Sequence, residues 1–570
     1  MAEMITGAEG LIKSLLAEGV DLVFGYPGGA IISVYDKLYD YQDKLHHILV
    51  RHEQGAVHAA QGYARISGRP GVVIVTSGPG AANVVTGLSD ALMDSTPLVV
   101  ISGQVASDNL GTDAFQEIDV VAMTQQITKW AIQIRRAEDI PAAVARAFYI
   151  ASTGRPGPVV LDIAKDAQVG LMEWTHKTCE FIRSYNPEPE IELNDVQEVA
   201  DLINNAQRPL IFSGHGVAIA NAEKELYDLA EMGNIPVTAT LLGLSTMDSY
   251  NPNYKGMLGM HGNIGPNIAT DKADVILAIG MRFDDRVTGD TSKFAKNAKI
   301  IHVDIDSSEL NKNVKVFKAI NADAKAFLKD LLPLIKPNRH EDWNSLIDDC
   351  YMVEYSEVIK DEVSPKSGKM KMGEVVEFVT TAVRRGAICV TDVGQNQMFA
   401  ARYFKFTAPK SFISSGGLGT MGFGLPAAIG AAMAAPDRTV CLFVGDGGLQ
   451  MTIQELGTIM EHPVAVKIIL LNNNFLGNVR QWQTLFFHSR YSQTQMLNPD
   501  FVALAGAYGI PGEDVTSRDD LPAAIDRMLS YDGTYLLNVD IDATDLIFPM
   551  IPAGGSVDNI MLSPDKKFSL

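Results

Sequence analysis

Short apolar, β-branched runs alternate with helical patterns along the whole chain, and this alternation restricts the possible folds more than any other feature. Clear examples are GVVIVTSG at 71–78, VILAIG at 275–280 and VKIILLNN at 466–473. Such runs are typical of parallel strands that are buried on both faces and connected by helices. The sequence therefore predicts an α/β fold of doubly wound parallel sheets, in which ligands bind at the carboxyl ends of the strands.

Two polar, proline-containing segments, at about 171–192 and 337–370, divide the chain into thirds, and we interpret both as linkers. A length of 570 residues is enough for three domains that each bury a core. The predicted units are a domain at 1–170, a domain at 190–336, a domain at 370–550 and a carboxyl-terminal tail at 551–570.

A weak internal repeat links the outer two thirds. In each copy an apolar strand, a glycine-rich turn, a helix, a proline and a second strand follow one another. Ser77 and Val99 are 22 positions apart in the first copy, as are Asp446 and Ile468 in the second. Two copies of one domain type predict a cofactor held between them.

The charge balance and the cysteines restrict the partners and location of the chain. The formal net charge is -21 and Lys and Arg form no dense block, which argues against binding to nucleic acid or to an anionic membrane. The amino-terminal residues do not resemble a signal peptide, and the uncharged stretch 411–436 holds too much Gly, Ser and Pro for a membrane span. Four well-separated cysteines fit a reducing compartment. We expect a cytoplasmic protein that acts on small molecules.

An aspartate and an asparagine stand at the ends of two consecutive predicted strands in the last third. Asp446 lies between Gly445 and Gly447 after an apolar run, and Asn473 closes the next run 27 positions later. A carboxylate and an amide at neighbouring strand ends suit Mg²⁺, which prefers oxygen ligands together with water and phosphate. Each residue alone also has a structural interpretation, Asp446 as the start of a helix and Asn473 as part of a turn.

This GDG-to-NN stretch resembles the diphosphate-binding motif of thiamine-diphosphate enzymes. The resemblance implies that Asp446, Asn473 and the backbone carbonyl of Phe475 hold Mg²⁺ at the diphosphate of the cofactor. It also implies that Gly445 and Gly447 lie at the cofactor.

Three more segments resemble parts of the same cofactor site. GLGTMGFGLPAAIGA, from position 417, implies that Met421 supports the bent cofactor, and VGQNQM implies that Gly394 and Gln395 lie at the diphosphate. Asn396 departs from the pattern, because the family usually carries His there. RHEQGAVHAAQGYAR implies that Glu53 faces the aminopyrimidine ring and promotes loss of the thiazolium C2 proton. Alone, a glutamate between a strand and a helix more often offsets the helix dipole.

Almost the whole chain resembles the catalytic subunit of the acetohydroxyacid synthases, also called acetolactate synthases. The segments that carry this narrower resemblance are FGYPGGAI, TSGPGAAN, GTDAFQE, RPGPVVLDIAKD, GMLGMHG, MRFDDRVTG and VRQWQ. Arg286 is implied to bind the carboxylate of the second 2-keto acid, and Trp482 to favour 2-ketobutyrate. Without the resemblance, Arg286 would be interpreted as a salt-bridge partner of Asp284 or Asp285, and Trp482 would be interpreted as an aromatic residue of the core. The other implied pocket residues are Gly29, Phe115, Gln116, Lys165, Met260 and His261.

The resemblance also implies FAD in the middle domain. The matching positions are Arg155, Gly214, Gly216, Thr240, Leu241, Gly259, His261, Gly280, Arg282, Asp304 and Asp323. A glycine-rich turn such as the one in IFSGHGV is a weak phosphate-loop signal by itself.

The implied reaction is the decarboxylative condensation of pyruvate with a second pyruvate or with 2-ketobutyrate, the first common step of valine, leucine and isoleucine synthesis. FAD would be largely structural. The resemblance implies a homodimer or homotetramer, with each site between two chains, and a small regulatory subunit. The alternatives are a pyruvate oxidase, another thiamine-dependent 2-keto acid decarboxylase or carboligase, and a non-enzymatic binding protein on the same scaffold.

Overall fold

The computed structural model describes residues 4–569. The strands of the first third are β1 (Met4–Thr6), β2 (Leu22–Gly25), β3 (His46–Leu49), β4 (Gly71–Val75), β5 (Leu98–Gln104), β6 (Trp130–Ile134), β7 (Pro158–Ala164) and β8 (Leu171–Glu173). Its helices are α1 (Gly7–Ala17), α2 (Ile32–Tyr39), α3 (Glu53–Ser67), α4 (Pro79–Ala82), α5 (Val85–Met93), α6 (Val120–Thr124), α7 (Ile140–Ser152) and α8 (Lys165–Val169). A parallel sheet has the order β3-β2-β4-β5-β7-β6, and β1 pairs with β8 outside it.

The middle third forms a second parallel sheet. Its strands are β9 (Pro209–Ser213), β10 (Val237–Ala239), β11 (Tyr254–Met257), β12 (Val275–Ile279), β13 (Lys299–Asp304) and β14 (Lys318–Asn321). Its helices are α9 (Leu193–Asn205), α10 (His215–Ile219), α11 (Glu223–Gly233), α12 (Ile264–Lys272), α13 (Asp285–Thr288) and α14 (Ala324–Leu331). The strand order is β11-β10-β9-β12-β13-β14, which is the arrangement of dinucleotide-binding domains.

The predicted linker at 337–370 is largely helical. It contains α15 (Glu341–Glu354), one π-helical segment (Tyr355–Ile359) and α16 (Lys360–Val363). The side chains of Trp343, Ile347 and Cys350 are buried on one face of α15, against the middle domain and the tail. The segment therefore connects two domains as a packed helix.

The last third forms a third parallel sheet. Its strands are β15 (Ile388–Thr391), β16 (Phe412–Ile413), β17 (Val440–Gly445), β18 (Val466–Asn472), β19 (Gly512–Val515) and β20 (Tyr535–Asp540). Its helices are α17 (Met372–Ala382), α18 (Gln395–Tyr403), α19 (Gly424–Ala434), α20 (Asp446–Met451), α21 (Leu456–Glu461), α22 (Gly477–Phe486), α23 (Phe501–Ala507) and α24 (Leu521–Ser530). The strand order is β16-β15-β17-β18-β20-β19.

The outer two sheets share one topology. Counted from the first strand of each sheet, both have the order 2-1-3-4-6-5, whereas the middle sheet has the order 3-2-1-4-5-6. The shared strand order confirms the prediction, made from the weak internal repeat, that the outer domains are of one fold type. The prediction of doubly wound parallel sheets is confirmed as well.

Helices cover both faces of each sheet, so alternate residues of a strand are buried in different cores. In β4, Val72 and Ile74 pack with α1, α2 and α7, whereas Val73 and Val75 pack with α3 and α5. The other two sheets are divided in the same way. Burial of each such side chain contributes about 1.5–3 kcal/mol, which explains why the strands read as continuous apolar runs.

The outer domains touch directly where α3 crosses α19. A Cβ atom on Gly62 would lie 2.0 Å from the carbonyl oxygen of Ala427, and one on Gly430 would lie 1.8 Å from that of Ala59. Only glycine permits this approach of the two helix backbones.

The carboxyl-terminal tail packs on the middle domain. Ile551 N donates to Met260 O at 2.8 Å, and Asp290 N donates to Gly555 O at 2.9 Å. The tail then forms a short hairpin of β21 (Met561–Ser563) and β22 (Lys566–Lys567). Across residues 4–569, none of the helices is both long and apolar enough to span a membrane.

Candidate active site

In each sheet the strand order reverses beside the first strand of that sheet, between β2 and β4, between β9 and β12, and between β15 and β17. Ligands of doubly wound sheets bind at such points, where the loops that follow the two strands diverge. In the third domain these loops carry Gly394 and Asp446, and in the middle domain they carry Gly214 and Gly280. Four predicted site residues therefore lie where the topology opens a crevice.

Asp446 is buried at the first position of α20, directly after β17. Its Oδ2 accepts a hydrogen bond from Asn498 Nδ2 at 2.7 Å, and burial raises the pKa of the carboxyl. Asn473 follows β18, the strand paired with β17, and its Oδ1 accepts from Phe475 N at 3.1 Å. Asp446 thus begins a helix and Asn473 forms a turn, as their structural interpretations predict. The two side chains also lie at neighbouring strand ends.

Asn498 is a candidate site residue that the sequence did not predict. Its Nδ2 lies 2.7 Å from Asp446 Oδ2 and 3.1 Å from the Oδ1 atoms of both Asn472 and Asn474. The Asn498 amide nitrogen is thus the hydrogen-bond donor that holds the Asp446 carboxylate beside the two asparagine oxygens. The described residues contain no cluster of three or more His, Cys, Asp or Glu placed for a metal, so any ion here would use mostly uncharged oxygens.

The loop after β15 presents a helix N-terminus to the same region. Gly394 precedes α18 with a φ of 140°, a conformation open to glycine. Gln395 is held within the protein, because its Nε2 donates to Gln481 Oε1 at 3.0 Å and to Asp545 O at 2.9 Å. Asn396 Nδ2 donates to Phe443 O at 3.0 Å, so the residue that departs from the family pattern fastens this loop to β17. The first N–H groups of a helix have no partner within the helix, so those of α18 can bind an anion.

Met421 lies beside Gly447. A Cβ atom on Gly447 would lie 3.4 Å from Met421 Cε and 2.7 Å from Leu476 Cδ2, and Gly445 is likewise close to Asn396. The absence of side chains on the two glycines therefore lets Met421, Leu476 and Asn396 come close to the backbone that follows β17. Asp446, the nearby asparagines and the α18 N-terminus offer the oxygen ligands and N–H donors that a diphosphate group with its cation requires.

Glu53 begins α3, and its Oε2 accepts from Asn83 Nδ2 at 2.9 Å. A Cβ atom on Gly80 would lie 3.3 Å from Oε1, so this carboxylate faces the loop that follows β4. In that loop the Thr76 and Ser77 hydroxyls are buried and have no hydrogen-bond partner among residues 4–569. Unpaired buried hydroxyls beside a carboxylate suit a polar ligand such as an aminopyrimidine ring.

The chain does not bring all predicted residues into one pocket. The contacts of Glu53 lie in the first domain, and those of Asp446 in the third. Gly29 and Lys165 are exposed, and Phe115 is 88% exposed beside Gln116, whose φ is 61°.

A cavity of about 1020 Å³ lies beside the carboxyl end of the middle sheet. Besides Arg286 and Trp482, ten of the predicted flavin or pocket residues line it: Arg155, Gly216, Thr240, Leu241, Met260, His261, Gly280, Arg282, Asp304 and Asp323. Gly214 and Gly259 lie directly behind the lining, where a Cβ atom would lie 2.1 Å from Gly280 O and 2.6 Å from Arg286 O. The volume and the strand order suit a dinucleotide.

Burial strongly changes the pKa values of titratable groups in this cavity. Burial raises the pKa of Asp304 to about 7. Burial lowers the pKa of His261 to about 3, and its Nε2 has no hydrogen-bond partner in the part of the chain that the structure describes. Arg155 Nη1 lies 3.1 Å from Asp306 Oδ2 and 2.8 Å from Glu309 Oε1. A neutral imidazole and a buried carboxyl are left to bind a polar ligand.

Arg286 and Trp482 line one end of the same cavity. Arg286 Nη1 is 3.5 Å from Asp285 Oδ2 and its side chain is 62% exposed, so the predicted salt bridge is present and is weak. The Trp482 ring stacks on Phe486 at 5.5 Å and packs against Met260 and Phe548. An arginine that faces an aromatic wall can bind a carboxylate whose alkyl group contacts the wall.

Family models of thiamine pyrophosphate enzymes match three parts of the chain. The model of the N-terminal TPP binding domain matches residues 5–123, that of the central domain matches 196–331, and that of the C-terminal TPP binding domain matches 392–539. Each match covers most of the strands of one of the three sheets.

Curated proteins resemble the chain over nearly its full length. It is 44% identical over 560 residues to the acetolactate synthase isozyme 2 large subunit of Escherichia coli, covering 97% of this chain and 98% of that protein. It is 43% identical over 564 residues to the probable acetolactate synthase large subunit of Methanocaldococcus jannaschii, covering 97% and 95%. For the isozyme 3 large subunit of Escherichia coli the identity is 40% over 575 residues, covering 99% and 100%. The chain therefore belongs to the acetolactate synthase large-subunit family of thiamine pyrophosphate enzymes.

Proposed function

We propose that this chain catalyses the decarboxylative condensation of pyruvate with a second pyruvate or with 2-ketobutyrate. The products are 2-acetolactate and 2-aceto-2-hydroxybutyrate, which lead to valine, leucine and isoleucine. The observation that carries the proposal is the full-length similarity to acetolactate synthase large subunits, together with Asp446 and Gly394 at the crevice of the third sheet.

Thiamine diphosphate and Mg²⁺ would occupy the third-domain crevice. Asp446, Asn473 and the carbonyl of Phe475 would hold the ion, and Gly394, Gln395, Gly445 and Gly447 would surround the diphosphate. When bound, thiamine diphosphate supplies the electron sink that decarboxylation of a 2-keto acid requires. Met421, next to Gly447, would support the cofactor between its two ends.

Glu53 would act on the aminopyrimidine end. Asn83 holds Oε2, so Oε1 is the oxygen directed to exchange a proton with the ring. The Thr76 and Ser77 hydroxyls would supply further hydrogen bonds to the ring. A carboxylate with one oxygen fixed and one oxygen directed at the ligand suits general acid–base work.

FAD would occupy the middle-domain cavity and has no redox role in the net reaction. The dinucleotide-type strand order and the paired glycine loops at Gly214 and Gly280 support this assignment. At the adjoining end, Arg286 would bind the carboxylate of the second 2-keto acid, and Trp482 would contact its alkyl group.

The active protein would be a homodimer or homotetramer in the cytoplasm. Glu53 and Asp446 have their contacts in different domains, and the exposed Phe115 and the half-buried Gln116 would complete the site of a neighbouring chain together with Gly29 and Lys165. The relatives are named as large subunits, which supports a small regulatory partner.

Product analysis tests the proposal. Purified protein with thiamine diphosphate, Mg²⁺ and FAD is supplied with pyruvate alone, and then with pyruvate and 2-ketobutyrate. We expect 2-acetolactate in the first case and both products in the second, with CO₂ released and the flavin remaining oxidised. Stoichiometric bleaching of the flavin without a condensation product would instead indicate a pyruvate oxidase and would contradict the proposal.

A further inference from the structure

The loop between β16 and α19 joins the two proposed cofactor sites. Residues 415–419 of this loop line the middle-domain cavity, and Met421 follows directly beside the third-domain crevice. The position of this one loop therefore affects both ligand sites.

Helix α5 of the first domain holds the loop through Asp94. This residue caps the carboxyl end of α5 and is 2% exposed. Its Oδ1 accepts from Gly417 N at 2.7 Å, and its Oδ2 accepts from Gly416 N at 2.9 Å. A buried carboxylate that accepts two backbone N–H groups makes strong, charge-assisted hydrogen bonds.

Arg65 completes the attachment. Its Nη2 donates to Asp94 Oδ2 at 2.9 Å, and its Nη1 donates to Ser414 O at 2.6 Å. One turn before Asp94, Asp90 Oδ1 accepts from Ser415 Oγ at 3.0 Å, and Ser415 Oγ in turn accepts from Thr420 N at 2.8 Å. The start and end of the loop are thus tied to each other and to the first domain.

The contact between Gly417 and the end of α5 leaves no space for a side chain on residue 417. A Cβ atom on Gly417 would lie 2.8 Å from Asp94 Oδ1 and 2.9 Å from Met93 Cβ. The loop backbone therefore lies at a distance from the end of α5 that only glycine permits without a shift.

We propose that Asp94 is a positioning residue that fixes the 415–421 loop, and with it Met421, for thiamine diphosphate binding and turnover. The proposal rests on the proposed function, because it is Met421 that would support the cofactor. An asparagine at this position is nearly isosteric, but its amide group places a donor against either a loop N–H or Arg65. The loop would then lose at least one of its attachments.

The test compares Asp94→Asn with Asp162→Asn. Asp162 is an equally buried first-domain carboxyl, and it binds Ser102 and Gln104 instead of the loop. The dissociation constant of thiamine diphosphate in excess Mg²⁺ is measured by near-ultraviolet circular dichroism, and kcat and KM for pyruvate by acetolactate formation. For Asp94→Asn we expect the dissociation constant to rise about tenfold and kcat to fall about 10- to 100-fold, with KM within about twofold. For Asp162→Asn we expect all three values within about twofold of the unmodified protein.

Gly417→Ala perturbs the same contact from the loop side and should weaken cofactor binding in the same way; it carries the test if Asp94→Asn does not fold. The proposal is overturned if both loop variants bind the cofactor and turn over like the unmodified protein, or if Asp162→Asn shows equal losses. If the unmodified protein binds thiamine diphosphate but makes no acetolactate, the proposed function fails, while the binding comparison still decides the role of Asp94.

Discussion

Replacing Glu354 by leucine should destabilise the protein strongly, because it leaves the Arg402 guanidinium buried without its counter-ion. The two side chains are 0% and 1% exposed and form an ion pair between α15 and α18. Arg402 Nη1 also donates to the carbonyls of His261 at 2.9 Å and Gly262 at 3.0 Å. Glu354 Oε2 accepts from Ile264 N at 2.6 Å. The pair thus joins the helix that begins at the proposed diphosphate site to the loop that lines the cavity.

The expected loss of unfolding free energy is about 3–5 kcal/mol for Glu354→Leu and similar for Arg402→Met, since each leaves one buried charge unpaired. The double variant should lose less than the sum of the two, with a coupling energy of up to about 3 kcal/mol, because no buried charge remains. Urea unfolding followed by circular dichroism measures these differences. Glu138→Gln is the control, because its pair with Arg136 is 54% and 65% exposed and should change stability by less than about 1 kcal/mol. Single variants no less stable than this control would refute the argument.

Three further predictions concern the proposed chemistry and the pH dependence of stability. Glu53→Gln should lower kcat by about 10²- to 10⁴-fold and leave thiamine diphosphate binding nearly unchanged, as measured by turnover and by titration; full activity would contradict its acid–base role. Trp482→Leu should lower the ratio of 2-aceto-2-hydroxybutyrate to 2-acetolactate about tenfold when both substrates compete, and an unchanged ratio would contradict its role in specificity. Burial raises the pKa of Asp162 from 3.8 to about 6, so its contribution to stability is present below pH 3.8 and is lost as the pH rises through 6. Relative to the unmodified protein, Asp162→Asn should therefore gain about 2.4 kcal/mol between pH 4 and pH 7 in urea titrations, and a constant difference would contradict this.

Much of the fold follows from local sequence patterns. A strand buried on both faces must be apolar at nearly every position, so β4 and β12 stand out as uninterrupted apolar runs, and β18 as a run interrupted by Lys467. The repeat around Ser77 and Asp446 predicts two domains of one type, because the same order of strand, turn and helix builds the same crevice.

Other features depend on contacts between distant parts of the chain. Asn498 lies in a loop outside the helices and strands, and no local pattern indicates that it meets Asp446. Helix α15 lies within a polar segment, although the spacing of Trp343, Ile347 and Cys350 could have predicted its buried face. The attachment of Asp94 to the 415–421 loop joins residues more than 300 positions apart, which no local pattern encodes.

The most direct test of the proposed active site mixes two inactive variants of the chain. Glu53→Gln and Asp446→Ala are each expected to abolish acetolactate formation nearly completely when purified alone. If each site combines Glu53 of one chain with Asp446 of another, a mixed dimer contains one doubly altered site and one intact site. Unfolding and reassembly of an equimolar mixture should then restore acetolactate formation to about one quarter of the unmodified rate, since half of the dimers are mixed. Activity no higher than that of the separate variants, in a mixture shown to contain mixed dimers, would contradict a site shared between two chains.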